Sequence, residues 1–196
     1  GKMPITFCAY RILAAAALGV ALAIGGLGVP AFATVLWYSH VYLVLQWNLM
    51  SRTNNVSTTH YEHIWWENDS LVVFVPKQKN DPNGARAYPK HVFANPLDPV
   101  ICPILSLALW LIGCQAYRPE QEQSSLFCGT FCDDKFGDWL SNTLSKFSEG
   151  VRDMLGVHIS DIGTHSVRKG VASYESGMIG EANNIRTWKK RFPVVF

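Results

Sequence analysis

Between Ile12 and Ser39 the chain carries no charged residue, and an apolar stretch of that length has few places to go. Either it crosses a membrane, which takes about 20 such residues, or it supplies the centre of a folded core. Gly25, Gly26, Gly28 and Pro30 interrupt it, and its first half leans on alanine from Ala14 to Ala17. These breakers predict two helices, Thr6 to Ile24 and Ala31 to Met50, separated by a turn over Gly25 to Pro30. Apolar residues cover most of the second helix's circumference, the pattern of a helix surrounded by others. The competing reading, a small membrane protein using this run, needs a span that the breakers deny it. Arg11 with Lys2 makes no signal-peptide start, since no small-residue cleavage site and cysteine-paired domain follow. No membrane partner is expected.

A length of 196 residues is enough for one sizeable core and predicts one domain. The net charge of +2, from 17 basic and 15 acidic residues, neither requires nor excludes nucleic acid, so local clusters must carry that argument. Arg186, Lys189, Lys190 and Arg191 are one such cluster. Five cysteines without framework spacing fit reduced thiols in an intracellular protein.

After Arg52 the composition turns polar. Ser70 to Pro76 then gives a β-branched run bounded by turn formers, Asp81-Pro82-Asn83-Gly84 forms a turn, and Arg86 to Ala94 resumes an extended pattern. Residues 71 to 94 are thus expected as a hairpin with a loose loop. Asp98-Pro99 should cap a helix from Val100 to Cys114. A further helix is expected over Asp133 to Leu155, with Phe136, Trp139, Leu140, Leu144 and Phe147 at helical spacing, Gly150 as a weak point and Gly156 as its stop. Thr164 should cap the last helix. The class is α+β, mainly helical, with a small antiparallel hairpin against a helical core.

That last helix carries His165 and Arg168, which share a face at i and i+3. A cap at Thr164 would hold them near a helix N-terminus, where an anion is favoured. Arg52, isolated after an apolar helix, and the hairpin lysines Lys77 and Lys79 complete a set of cations suited to a phosphate. Singly, each has an ordinary reading: Arg52 pairing with Glu62 or Asp69, solvated lysines, and a capped helix with an exposed charge. Neither His60-Tyr61-Glu62-His63 nor Cys128-Gly129-Thr130-Phe131-Cys132 has a full ligand set at metal spacing, so no metal or other cofactor is expected. Trp65 and Trp66 are expected to serve packing near the sheet.

Four motifs occur in order: Trp47 to Asn55, Gln78-Lys79-Asn80-Asp81, Ala94-Asn95-Pro96-Leu97 with Ile101-Cys102-Pro103, and the segment from Asp161 to Gly170. Together they resemble the tyrosine recombinases, and most closely the catalytic domains of Crypton-type eukaryotic mobile elements, from about Tyr10 to Ser176. The resemblance implies metal-free cleavage and joining of double-stranded DNA, in which a tyrosine attacks the scissile phosphate. It implies a nuclear setting and, on DNA, assembly of several copies. Arg52 and Arg168 would hold the non-bridging oxygens, whose charge grows in the transition state, with forked hydrogen bonds. Lys79 would protonate the leaving 5′-oxygen and His165 would assist proton transfer or position the phosphate. Lys77, two residues from Lys79 and on the same face of a strand, remains open for the acid role and is otherwise a DNA contact, as are Arg86, Lys169 and Trp188.

The chain departs from the family at its end. Relatives place an arginine-glycine-tryptophan segment and then the nucleophile farther beyond the second arginine than the 28 residues that follow Arg168 here. Ile185-Arg186-Thr187-Trp188 looks like a degraded form of that segment. Tyr174, on the same helix as Arg168, is expected to be structural, because the attacking residue normally arrives from a separate segment. The expectation is a catalytic-type domain incomplete at its carboxyl end, without the amino-terminal DNA clamp and inactive in strand cleavage unless another subunit supplies a tyrosine. A domesticated DNA-binding module of the same fold is the alternative.

Overall fold

The computed structural model describes residues 1–24, 31–76, 88–114, 124–127 and 133–181. The apolar run becomes two helices, α1 (Phe7–Ile24) and α2 (Ala31–Asn48). Every residue from Tyr38 to Gln46 in α2 is 2 % exposed or less, so this helix is enclosed on all sides. Two of its buried polar side chains are bonded within the core: Ser39 Oγ donates to Val35 O (2.7 Å), and His40 sits between Val100 O (2.7 Å) and Ser106 Oγ (2.9 Å). Unpaired, each would cost about 1–3 kcal/mol. No described helix is long and apolar enough to cross a membrane.

The chain leaves α2 through a short helix, α3 (Thr53–Ser57), formed by the polar stretch that follows Arg52. It then enters a three-stranded antiparallel sheet of order β1-β2-β3, with β1 (Ile64–Glu67), β2 (Ser70–Val73) and β3 (Lys90–Val92). The hairpin expected over residues 71 to 94 is the β2–β3 pair, with Leu71 opposite Val92 and Val73 opposite Lys90. Strand β1 is an addition. Trp65 and Trp66 lie on this edge strand, 40 % and 61 % exposed, without the inward–outward alternation that marks a strand in sequence. The turn that creates it, Asn68-Asp69, puts Asn68 at φ 54°, a backbone region asparagine tolerates better than most residues.

Two helix boundaries move for identifiable reasons. Pro103 excludes Cys102 from helical conformation, so Pro99–Ile101 forms a 3-10 turn and α4 runs Pro103–Cys114. Asp98 makes no cap bond and instead pairs with Arg11 Nε at 2.6 Å. The helix expected over 133 to 155 breaks two residues before Gly150, giving α5 (Asp133–Lys146) and α6 (Glu149–Met154). Ser148, extended and followed by an acid in the first turn, restarts the helix, while Arg152 Nη2 takes up Ser145 O of α5 (2.7 Å). The face of α5 bearing Phe136, Trp139, Leu140 and Leu144 is buried, as its spacing required. Gly156 (φ 71°) ends this region and α7 (Thr164–Glu181) closes the described chain.

Candidate phosphate-binding site

The site forms where the end of α2 meets the start of α7. Helix α2 stops in a Schellman turn: Ser51 N donates to Gln46 O (3.2 Å) and Met50 N to Trp47 O (3.1 Å), with Met50 at φ 48°. That backbone region costs a non-glycine residue roughly 1–2 kcal/mol. Arg52 follows, extended at φ −71° and ψ 154°, as the residue that caps α3. Its carbonyl accepts from Asn55 N (3.0 Å) and Val56 N (3.3 Å), and Tyr42 Oη clamps the next carbonyl, Thr53 O, at 2.7 Å. The half-buried Arg52 side chain therefore leaves from a backbone fixed on both sides.

Helix α7 is fixed as firmly. Its inward residues Ser166, Val167, Gly170 and Val171 are buried, leaving His165, Arg168 and Lys169 exposed together. The amino-terminal segment runs beside it, with Met3 N donating to Asp161 O (2.8 Å), Ile5 N to Ser166 O (3.2 Å) and Lys2 Nζ to Ser160 O (2.7 Å). Gly170 permits this approach, since a Cβ there would stand 2.4 Å from Ile5 O. Gln46 Nε2 of α2 reaches Thr164 O (3.1 Å), joining the two helices directly. Thr164 lies inside the first turn rather than at the cap, and Gly163 N is met by Ser166 Oγ at 3.0 Å.

Among the described residues neither Arg52 nor Arg168 forms an ion pair, with Glu62, Asp69 or any other acid. Lys169 donates its ammonium to Lys2 O, a bond that ties α7 to the amino-terminal segment. Lys77, Lys79, Arg86 and Trp188 lie outside the described residues. Tyr174 stacks on Phe7 (5.0 Å between ring centres, 17° between planes) and also touches Trp47. His60 and His63 bond to each other through His60 N and His63 Nδ1 (3.2 Å). Among the described residues no three histidine, cysteine or acidic side chains gather as a metal group.

Sequence reasoning passed over Lys90. It lies on the face of β3 that also carries Val92, opposite Val73, and both valines are buried. Its ammonium donates to Leu49 O at the end of α2, where the helix dipole leaves negative charge. Burial, and then the nearby Arg168 guanidinium, pull this ammonium below the usual lysine range, with Glu175 opposing. The signal was available as a lysine in phase with Val92.

No protein-family model and no curated protein sequence matches the chain. Among solved structures, the XerH site-specific recombinase bound to its difH substrate, a pre-cleavage complex, is similar over 90 % of this chain at a TM-score of 0.56. The fold is that of a tyrosine recombinase. Identity with XerH is 13 %, and the match spans 44 % of the XerH chain, so the likeness is one of architecture. Within this fold Arg52 follows the turn that ends α2, His165 and Arg168 stand on α7, and Lys90 stands on β3.

Proposed function

We propose that the chain is a DNA strand-exchange domain of the tyrosine-recombinase type that holds a scissile phosphate of double-stranded DNA through Arg52, Arg168, His165 and hairpin lysine Lys79, with Lys77 as the alternative proton donor. The observation that carries this reading is the pair of arginines. Each is launched from a rigidly bonded backbone, neither has an acidic partner among the described residues, and the fold is one that XerH uses with DNA bound. A guanidinium with no internal ion pair can take an anion without first breaking one.

Within residues 1–196 the tyrosine that follows Arg168 is Tyr174. Its ring is committed to a stack with Phe7, so in this reading Tyr174 is structural and the attacking tyrosine comes from a segment other than α7. The Crypton-type likeness, and with it a mobile-element origin and a nuclear setting, belongs to the same proposal on the strength of motif order.

Two measurements test it. Replacing Arg52 and Arg168 together by alanine should weaken duplex binding and lower the slope of log K against log salt by about 1, for the one phosphate the pair holds; an unchanged slope removes the phosphate site. Incubation of residues 1–196 with a suicide DNA substrate should give no covalent adduct at Tyr174, and an adduct mapped to Tyr174 would overturn its structural role.

A further inference from the structure

Gln46 is a polar side chain in the least polar part of the molecule. It stands in α2 at 0 % exposure, beside the core residues Val44 and Leu45, and its amide is only half used. Nε2 donates to Thr164 O (3.1 Å), while Oε1 has no hydrogen-bond partner among the described residues. Turning the amide over would set two acceptors against each other, so the donor must face α7. An unpaired buried acceptor costs stability, and the bond beside it does little to offset that cost. Thr164 O already belongs to α7 (Thr164–Glu181), where it accepts the N–H four residues on, that of Arg168. A methionine of nearly the same length would fill the place without an orphan.

The two bonds of Gln46 give it a different use. Its main-chain carbonyl accepts from Ser51 N (3.2 Å), in the turn that delivers Arg52, and its side chain meets the carbonyl to which the Arg168 N–H belongs. One residue is thereby bonded to the chain immediately before one arginine and to the peptide group that fixes the backbone of the other. A local departure from what packing alone would choose is expected where a residue serves function rather than stability.

We propose that Gln46 is a positioning residue that sets the spacing of Arg52 and Arg168 for a common DNA phosphate, and that it does so at a cost in stability. The inference rests on the reading of the two arginines as phosphate ligands. Gln46 is wholly buried and acts only through them, by fixing where α7 begins relative to the turn that ends α2, so that two guanidinium forks meet one anion.

The test is duplex binding by fluorescence anisotropy, with thermal unfolding of each protein, for the wild type, Gln46→Met, the Arg52→Ala and Arg168→Ala pair, and that pair with Gln46→Met added. Gln46→Met should unfold at or above the wild-type temperature and yet bind duplex about tenfold more weakly, within what members of one hydrogen-bond network contribute to each other. Without the two arginines the same substitution should leave affinity unchanged within about twofold. Gln46→Glu returns the donor under control of pH, since its carboxyl, made a weaker acid by burial, can donate to Thr164 O only when protonated. Between pH 9 and pH 6 its affinity should climb above that of Gln46→Met at the same pH. A lower unfolding temperature in Gln46→Met, or its failure to fold, makes Gln46 a stabilising core residue and overturns the proposal. An equal loss of affinity with and without the arginines, or superimposable pH curves for Gln46→Glu and Gln46→Met, overturns it as well. A weakened arginine pair beside wild-type binding in Gln46→Met defeats the positioning role alone, whereas undiminished binding by the arginine pair defeats the phosphate site itself.

Discussion

Replacing Gly170 by alanine should destabilise the protein although it lies in a helix, where alanine is ordinarily favoured over glycine by about 1 kcal/mol. The new Cβ would stand 2.4 Å from Ile5 O, 3.0 Å from Ile5 Cγ1 and 3.2 Å from Trp47 Cζ3. An ordinary carbon–oxygen approach is about 3.3 Å or more, so the amino-terminal segment must retreat by roughly 0.9 Å. That segment is held by Ile5 N to Ser166 O and Met3 N to Asp161 O, each worth about 1 kcal/mol net. Overpacking itself costs about 1–3 kcal/mol. With the helix gain subtracted, the sum is about 2–4 kcal/mol, or roughly 5–15 °C in Tm for a chain of this size. Urea unfolding followed by tryptophan fluorescence measures it. Gly177→Ala on the same helix is the control: Gly177 is exposed with nothing within 4 Å of its added Cβ, and it should stabilise by about 0.4–1 kcal/mol. Equal effects at the two glycines, or a neutral Gly170→Ala, would refute the argument that close backbone approach sets the position of α7.

Other expectations follow from the same structure. His40 is buried and its pKa lies below the ordinary 6.5, chiefly through desolvation. The unfolded chain therefore binds the proton more readily, so this part of the stability is complete above pH 6.5 and is lost as pH falls from there toward the depressed value. Thermal melts between pH 7.5 and 5 should show a steeper loss in the wild type than in His40→Gln. Leu43→Ala, in the enclosed centre of α2, should cost about 2–5 kcal/mol by denaturant titration. Asp98→Asn breaks a pair with the well-exposed Arg11 and should change stability by no more than about 1 kcal/mol. Arg168→Lys preserves charge but loses the fork, so the salt slope of DNA binding should survive while affinity falls.

Much of the architecture was legible because it is written in local chemistry. The glycine and proline breakers separate α1 from α2, the all-apolar circumference of α2 places it at the centre, and the spacing of Phe136, Trp139, Leu140 and Leu144 marks the inward face of α5. Strand β1 escaped because an exposed edge strand has no alternation to read, and the α5–α6 break escaped because Ser148 gains its role only once Arg152 has taken up a carbonyl of α5. The start of α4 is legible in Pro103, whose effect on Cys102 is local.

The site divides along the same line. Arg52, His165 and Arg168 stand out from sequence only through the order of the motifs that carry them, since singly each has an ordinary reading. Residue order alone could not bring the end of α2 against the start of α7, a contact made by Gln46 reaching Thr164 and by the absence of a side chain at Gly170. Nor could it promote Lys90 above the more conspicuous Lys77 and Lys79. A lysine acquires a depressed proton affinity only from burial and from a cation on another element, here the Arg168 guanidinium of α7. Patterning acts over a few residues, whereas desolvation and Coulomb forces act through space, and only the folded chain decides which charges share it.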